Sequence, residues 1–216
     1  KGVAAPSANR FGRISPTSAE DVKAEFGNEL GMILDGGACQ VGIESTIIDV
    51  SGPIPRILRP GMILIESIYV ALYELGLKVP DANRDDTPRV PGSMPAHYSP
   101  ATPLKLFPST NLIQAVEKLE REGQEVAVLS FQSAPMLQKR WLTASRFPTH
   151  YAHSLYKNLR KLDSFGSDLI IIEQPPLESD WDGINDRLQR ASGRGSDSTG
   201  TGPDSSLNEM EVCDGP

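Results

Sequence analysis

The sequence predicts an α/β protein, because short apolar runs typical of buried strands alternate with segments that carry apolar residues at helical spacing. The alternation is clearest over residues 103–195, where three strand-like runs are each followed by a helix-like segment. With 216 residues, 38% of them apolar and 23% charged, the chain is long enough for one large or two small globular domains. We therefore expect a small α/β sandwich in the second half of the chain.

Two helices and four strands are predicted within residues 1–77. Thr17 and Glu20 have the spacing of a capping box, and the glycine after Phe26 is a typical stop, so a helix should end there. Apolar residues close to helical spacing predict a second helix over Leu64–Leu75. The predicted strands are the short apolar runs Val3–Ala5, Met32–Leu34, Thr46–Val50 and Arg56–Leu58.

The second half of the chain shows the same two patterns more regularly. One of its runs, Asp168–Ile172, is almost entirely apolar, as expected for a parallel strand that is covered on both faces. The G-x-G-x-x-G fingerprint is missing, so a dinucleotide site is not predicted. The predicted strands are Leu104–Phe107, Glu125–Leu129 and Asp168–Ile172, and the predicted helices are Asn111–Glu122, Tyr151–Leu162 and residues 183–192.

Composition divides the chain into four parts. Residues 1–77 and 103–195 carry the strand and helix patterns, whereas the proline-rich residues 78–102 are typical of a linker or an ordered strap. Residues 196–216 are rich in Ser, Gly, Thr and Asp and are predicted to be a disordered acidic tail. We therefore expect two folded units joined by a strap.

The charge of the chain limits its function classes. The formal net charge is −7, and five acidic residues of the tail account for most of it, which leaves −2 over residues 1–195. Proteins whose main role is to bind RNA or DNA carry clustered Lys and Arg side chains, so this slightly acidic charge balance disfavours that role. The two cysteines, Cys39 and Cys213, are too few for a metal site and fit a reduced cytosol. No run approaches the roughly 18 apolar residues of a membrane span, so we expect a cytoplasmic protein without membrane contact.

The polar cluster Ala5–Thr17 is the densest in the sequence. Ser7, Asn9, Ser15 and Thr17 offer hydroxyl and amide groups beside a predicted helix N-terminus, which suits a phosphate or a carboxylate. An ordinary turn before a capped helix explains the same residues without a ligand.

Three further clusters carry residue types that bind polar ligands. Ser45 lies directly before the predicted strand Thr46–Val50, after a glycine-containing loop, where its hydroxyl can hold the polar end of an amino acid, or satisfy local backbone groups. Arg59, fixed by the proline after it, can make a paired phosphate contact, although most arginines are surface charges. Tyr98, in the strap, can lie against a base or ribose, unless the strap is a plain linker.

The sequence has no Ser-His-Asp signature, no HExxH motif, no Walker A lysine loop and no paired-cysteine metal site. We therefore predict no covalent nucleophile and no metal held by protein side chains. Any reaction would depend on the positioning of substrates and on the stabilisation of charge.

Taken together, these clusters resemble a known enzyme family. APSANRFGRISPT, ILDGG, VGIESTIIDVS and ILRPG, in this order, are similar to the second half of the YrdC-type domain of threonylcarbamoyl-AMP synthases. PGSMPAHYSP is similar to the interdomain strap of the two-domain form, and LRKLDSFGSDLIIIEQPP followed by INDRLQRASG resembles the end of its C-terminal domain. The resemblance implies a partial YrdC-like twisted-sheet α/β domain followed by a small Rossmann-like α/β sandwich domain.

The resemblance also implies an activity and its site. Members of the family join L-threonine, bicarbonate and ATP, with Mg²⁺, into threonylcarbamoyl-AMP and release pyrophosphate. The product supplies the threonylcarbamoyl group for adenosine 37 of tRNA, through the transferase machinery that receives it. Carried over motif by motif, the ATP contacts would be Asn9, Thr17, Arg59 and Tyr98, and the L-threonine contacts would be Ser7 and Ser45.

One departure from the family pattern sets a further expectation. The Lys-x-Arg motif of the family's N-terminal half is missing, so we expect the chain to begin partway through the catalytic domain. On this expectation the polypeptide alone is inactive and its first block is poorly stable. The alternative is an RNA-binding module without catalysis, which a YrdC-type concave surface would allow and the body charge of −2 disfavours.

Overall fold

Two β-sheets of different type organise the structure, a computed structural model that describes residues 2, 5–77, 98–135 and 139–193. The first sheet is an antiparallel pair of short strands, β1 (Ile47–Asp49) and β2 (Arg56–Arg59). The second contains four parallel strands, β3 (Leu104–Phe107), β4 (Val126–Ser130), β5 (Trp141–Thr143) and β6 (Leu169–Glu173). These four lie in the order β3-β6-β4-β5, and the α/β prediction is confirmed.

Five α-helices lie beside the sheets within the described ranges. Two belong to the first half of the chain and three to the second, where a 3-10 turn (Ser179–Trp181) leads into the last helix. No helix among the described residues has the length and apolar character needed to cross a membrane. The helices are α1 (Ala19–Phe26), α2 (Ile65–Glu74), α3 (Leu112–Arg121), α4 (Pro148–Asp163) and α5 (Asp182–Ala191).

The parallel sheet is covered on both faces, and successive residues of each strand point to opposite faces. On one face Val128 and Ile171 pack against Leu112 of α3. On the other face Leu129 and Ile172 belong to the core that includes α4 and α5. Because both faces are covered, every residue of β4 and β6 is buried, as the apolar sequence of these strands predicts.

The block that carries β1 and β2 packs on α4 and α5 through main-chain contacts. A Cβ atom on Gly42 would come within 2.5 Å of the carbonyl oxygen of Ala152 in α4. A Cβ atom on Gly183 in α5 would lie 2.5 Å from the carbonyl oxygen of Gly61. Ile43, beside the first of these glycines, is buried in the same core as α4 and α5. The first block therefore packs so closely on α4 and α5 that neither glycine position has room for a side chain.

Two local predictions are wrong. The N-cap of α1 is Ser18, and its capping box joins Ser18 to Asp21 instead of Thr17 to Glu20. Both pairs have a hydroxyl residue followed by an acid three positions later, so the spacing does not separate them. Met32–Leu34 is not a strand: its two ends are 76% and 85% exposed, and it forms no ladder with another described segment.

The other bounds agree with prediction, with a few differences. The remaining predicted strands and helices within the described ranges begin and end within one residue of their predicted bounds, except that α4 begins at Pro148 instead of Tyr151. Proline is favoured in the first turn of a helix because it has no N–H to satisfy, and periodicity alone does not detect this start. β5 and the 3-10 turn were not predicted. The first predicted strand, most of the strap and the acidic tail lie outside the described residues, and the proposed domain boundaries stay a prediction.

Substitution of Gly183 by alanine tests the close packing of α5 on the first block. At an exposed helix position Gly→Ala would raise the free energy of unfolding by up to about 1 kcal/mol. Here the new methyl group would meet the main chain of Gly61, so we expect Gly183→Ala to lower that free energy by about 1–3 kcal/mol. Urea unfolding followed by circular dichroism measures the change. Gln189→Ala, at an exposed position of the same helix, is the control, and a more stable Gly183→Ala protein would contradict this packing.

Candidate functional site

The carboxylate of Glu44 lies where the first block packs on α4 and α5. It accepts hydrogen bonds from Ser15 Oγ at 2.7 Å and from Tyr156 Oη at 2.8 Å. Arg187 Nε donates to the same carboxylate at 2.9 Å and forms an ion pair with it. Since these three donors come from an N-terminal segment, from α4 and from α5, a single side chain of the first block ties together three parts of the chain.

Arg187 is fully buried, and its guanidinium is matched by acceptors on several sides. Besides the Glu44 carboxylate, it donates to the Glu44 carbonyl oxygen at 3.0 Å and to the Pro60 carbonyl oxygen at 2.6 Å. It also pairs with Asp186 at 2.9 Å. Burial of a charge is costly unless it is paired and hydrogen-bonded, and here both conditions are met.

Three of the predicted site residues are joined directly. Arg59, at the end of β2, donates from Nε at 3.1 Å and from Nη2 at 2.9 Å to the carbonyl oxygen of Ser45. Its Nη1 lies 3.4 Å from the hydroxyl oxygen of Tyr98. The Ser45 residue itself is exposed, whereas the arginine and the tyrosine are buried. The structure thus brings a strap residue, a strand end and a loop of the first block to one place.

The backbone of Tyr98 is strained. Its φ is 61°, a left-handed conformation that tyrosine rarely adopts, and no other non-glycine residue described here has a positive φ. The ring stacks on Tyr156 with 5.7 Å between centroids, and the guanidinium of Arg187 lies 5.6 Å from its centroid. These contacts, with the buried environment, hold the end of the strap against both halves of the chain.

The ionisation of this cluster follows from burial and from the ion pair. Burial tends to raise the pKa of Glu44, but hydrogen bonds from Ser15, Arg187 and Tyr156 and the charge of Arg187 outweigh it, so the pKa is lowered. Burial, with the nearby Glu44 charge, raises the pKa of the Tyr98 and Tyr156 hydroxyls. Burial would lower the pKa of Arg187, but the groups around it raise it above its usual value. At neutral pH Glu44 is therefore ionised, Arg187 is charged, and the Tyr98 and Tyr156 phenols are neutral.

The other predicted site residues lie on the segment before α1. Ser7 is exposed, and its carbonyl oxygen accepts a hydrogen bond from the backbone N–H of Asn9 at 2.9 Å. The Asn9 side chain donates to the Arg13 carbonyl oxygen at 3.0 Å, and Arg13 pairs as a parallel bridge with Ser99. The segment therefore runs beside the strap residue that follows Tyr98. The contacts given for these residues do not join them directly to Ser45 or to Arg59.

Thr17 takes part in the cap of α1. Its hydroxyl donates to the Asp21 carboxylate at 3.1 Å, and its backbone N–H donates to the same carboxylate at 2.8 Å. These contacts agree with the simpler interpretation of this residue, in which it stabilises a helix start. Its assignment to ATP stays a prediction, as do the ligand contacts predicted for the other site residues.

Sequence reasoning assigned no role to the residues that hold the predicted site residues in place. Ser15 is named there only as a polar residue of the cluster before α1, and Glu44 lies inside a motif that carries the family resemblance, so the sequence offered a signal for both. Arg187 also lies inside a quoted motif, the run INDRLQRASG, but nothing local indicates that it pairs with a residue 143 positions earlier. Tyr156 has only the signal of a buried helix position.

A second buried polar cluster lies at the carboxyl ends of β4 and β6. Glu173 is buried and accepts hydrogen bonds from Ser130 Oγ and from the backbone N–H of Phe131. It therefore fixes the chain where it leaves β4. In the part of the chain that the structure describes, no group of three or more His, Cys, Asp or Glu side chains is arranged to hold a metal ion.

Comparison with protein families assigns the chain. Residues 63–193 match the family described as threonylcarbamoyl-AMP synthase, C-terminal domain, which is more than half of the sequence. The chain belongs to the threonylcarbamoyl-AMP synthase family. Residues 1–61 match a second family, whose description is telomere recombination, and the boundary between the two matches falls at the end of β2.

Relatives of established name support the assignment over most of the chain. A threonylcarbamoyl-AMP synthase from Pyrococcus abyssi is 32% identical over 198 residues, which cover 88% of this chain and 58% of the relative. The enzyme of the same name from Schizosaccharomyces pombe is 33% identical over 211 residues, which cover 88% of this chain and 52% of the relative. The chain thus spans little more than half the length of the curated relatives it matches.

A solved structure agrees with the sequence relatives. The crystal structure of Pyrococcus abyssi Sua5 complexed with L-threonine superposes with a TM-score of 0.72 at 30% sequence identity. The superposition covers 88% of this chain and 57% of that one. The resemblance between the motifs and this synthase family is therefore confirmed for fold and family.

The pH dependence of stability tests the Glu44–Arg187 pair. Because the pKa of Glu44 is lower in the folded chain than its ordinary value of 4.5, the pair contributes stability above that pH and loses it as the pH falls further. Removal of one partner of a buried pair costs about 3 kcal/mol, so we expect Glu44→Gln to lower the free energy of unfolding by that amount at neutral pH. The difference from the unsubstituted protein should shrink as the pH falls below 4.5.

Urea unfolding at a series of pH values measures this difference. Glu117→Gln, which removes an exposed carboxylate from α3, is the control and should change little at any pH. A Glu44→Gln difference that stays constant down to strongly acidic pH would show that the carboxylate is not paired as described.

Proposed function

We propose that this chain takes part in the synthesis of threonylcarbamoyl-AMP and pyrophosphate from L-threonine, bicarbonate and ATP. The observation that supports this most directly is the geometry around Ser45. The residue is exposed at the surface, while its carbonyl oxygen is held by two N–H groups of buried Arg59. A hydroxyl on a fixed main chain is suited to recognise a small polar ligand, because little conformational entropy is lost when the ligand binds.

L-threonine is the ligand that we assign to Ser45 and Ser7. A crystal structure of a relative is described as complexed with L-threonine, and 88% of this chain superposes on it. The amine of threonine combines with bicarbonate to give a carbamate and water. A carbamate oxygen then attacks the α-phosphorus of ATP, and the bond to the pyrophosphate leaving group breaks. Protein groups contribute to such a reaction by holding the two substrates in line and by stabilising charge.

ATP is the ligand that we assign to Asn9, Thr17, Arg59 and Tyr98. Arg59 supplies the cation of this set, beside the ring of Tyr98 at the end of the strap. We propose that ATP enters as its magnesium complex, with Mg²⁺ carried by the phosphates as part of the substrate. The site of action is the cytoplasm, and the product passes to the machinery that modifies adenosine 37 of tRNA.

Calorimetric titration with L-threonine tests the proposal at Ser45. We expect Ser45→Ala to weaken L-threonine binding by about tenfold, because one hydrogen bond to a charged or polar group is worth about 1.5 kcal/mol. Ser51→Ala, which removes an exposed hydroxyl elsewhere in the same block, should leave the affinity unchanged.

L-valine serves as the chemical control, since it has the shape of threonine without the hydroxyl group. We expect it to bind more weakly than L-threonine to the unsubstituted protein. Equal binding of the two amino acids would contradict recognition of the threonine hydroxyl group, and equal affinities of the Ser45→Ala and unsubstituted proteins would contradict the assignment of Ser45 to threonine.

A further inference from the structure

Arg187 connects α5 to the loop that carries Ser45, and no role assigned above uses it. Its guanidinium holds the carboxylate of Glu44, the carbonyl oxygen of the same residue and the carbonyl oxygen of Pro60. Glu44 precedes Ser45 in the chain, and Pro60 follows Arg59. One side chain of the second half thus donates hydrogen bonds to the chain neighbours of Ser45 and Arg59, two of the predicted ligand-binding residues.

We propose that Arg187 is a positioning residue that fixes Ser45 in the orientation that binds L-threonine and holds the main chain beside Arg59, the residue assigned to ATP. This inference rests on the proposed function for its ligand, and on the geometry alone for the positioning itself. It assigns the second half of the chain a part in substrate binding, through a residue that acts on the loop carrying Ser45.

The main chain at Ser45 is held on both sides. Arg187 binds the Glu44 carbonyl oxygen at 3.0 Å, and Arg59 binds the next carbonyl oxygen, that of Ser45, at 2.9 Å. Two successive peptide groups are therefore fixed by two buried guanidinium groups, while the Ser45 side chain projects from an exposed residue. Loss of either arginine frees one of the two peptide groups and lets the hydroxyl change direction.

Only arginine can make this set of contacts. Nε and Nη2 face Glu44 while Nη1 faces Pro60, an arrangement that needs a planar group with N–H bonds in fixed directions. A lysine ammonium could keep the charge beside the Glu44 carboxylate but could not reach both carbonyl oxygens at once. The absence of a Cβ at Gly183, one turn earlier in α5, lets the helix come close enough for these contacts.

Hydrogen exchange and L-threonine titration of Arg187 variants test the proposal in the full chain. We expect Arg187→Gln to increase amide exchange in residues 44–48 and 57–62 by at least about tenfold. We expect it to weaken L-threonine binding by a similar factor. Arg187→Lys should keep the charge and the fold but restore neither the protection nor the affinity, and it carries the test if Arg187→Gln does not fold.

Two controls separate positioning from a general loss of stability. Arg190→Gln removes the neighbouring arginine of α5, which shares the Asp186 carboxylate, and should leave both segments protected. Leu112→Ala opens a cavity on the opposite face of the sheet and should lower the melting temperature without raising exchange in these segments. Unchanged exchange in Arg187→Gln, an equal increase in Leu112→Ala, or full recovery in Arg187→Lys would overturn the proposal.

The two measurements also separate the inference from the function on which it rests. If the unsubstituted chain does not bind L-threonine, the proposed function is wrong, and hydrogen exchange alone decides whether Arg187 holds the loop. If the chain binds L-threonine and the Arg187 variants bind it with unchanged affinity, the function stands and the positioning role is wrong.

Discussion

The ion pair between Glu44 and the fully buried Arg187 is the constraint on which the packing of the first block on α4 and α5 depends. Removing two charges from water is expensive, and a pair of this kind adds stability only when its remaining donors and acceptors are satisfied. Here the carboxylate has two further hydroxyl donors, and the guanidinium has three main-chain acceptors. The acceptors and donors fit one placement of the first block on α4 and α5, so the pair contributes orientation as much as stability.

Close backbone packing and a strained tyrosine enforce the same placement. The glycines at 42 and 183 leave no space for a side chain between the first block and the helices, so the block cannot slide along α4 or α5 without a clash. Tyr98 keeps an unfavourable φ of 61° because its ring is fixed between Tyr156 and the guanidinium of Arg187. Backbone strain persists only where surrounding contacts outweigh it, and such positions cluster at ligand sites and switch regions.

The pattern of apolar residues predicted most of the second sheet because those strands are buried on both faces. The length of a run such as Leu169–Glu173, together with the residues on either side of it, indicates a buried strand. Met32–Leu34 has a similar composition but is exposed, since nothing in the local sequence states whether a partner surface exists. The predicted capping box of α1 was wrong for another reason: the pairs Thr17/Glu20 and Ser18/Asp21 overlap, and both have the spacing of a capping box. The residues of the site were reached through motif resemblance, and local pattern supplied only their chemical type.

No local sequence pattern predicts the contacts between segments that are distant in the chain. Arg59 illustrates the difference, because its sequence context suggests a phosphate contact, whereas in the structure two of its N–H groups are committed to the Ser45 carbonyl oxygen. A further N–H group of Arg59, on Nη1, lies 3.4 Å from the Tyr98 hydroxyl oxygen, so the guanidinium contacts both the loop that carries Ser45 and the end of the strap. Substitution of Arg59 would therefore remove main-chain support from that loop, whereas loss of the Ser45 hydroxyl would leave this support in place.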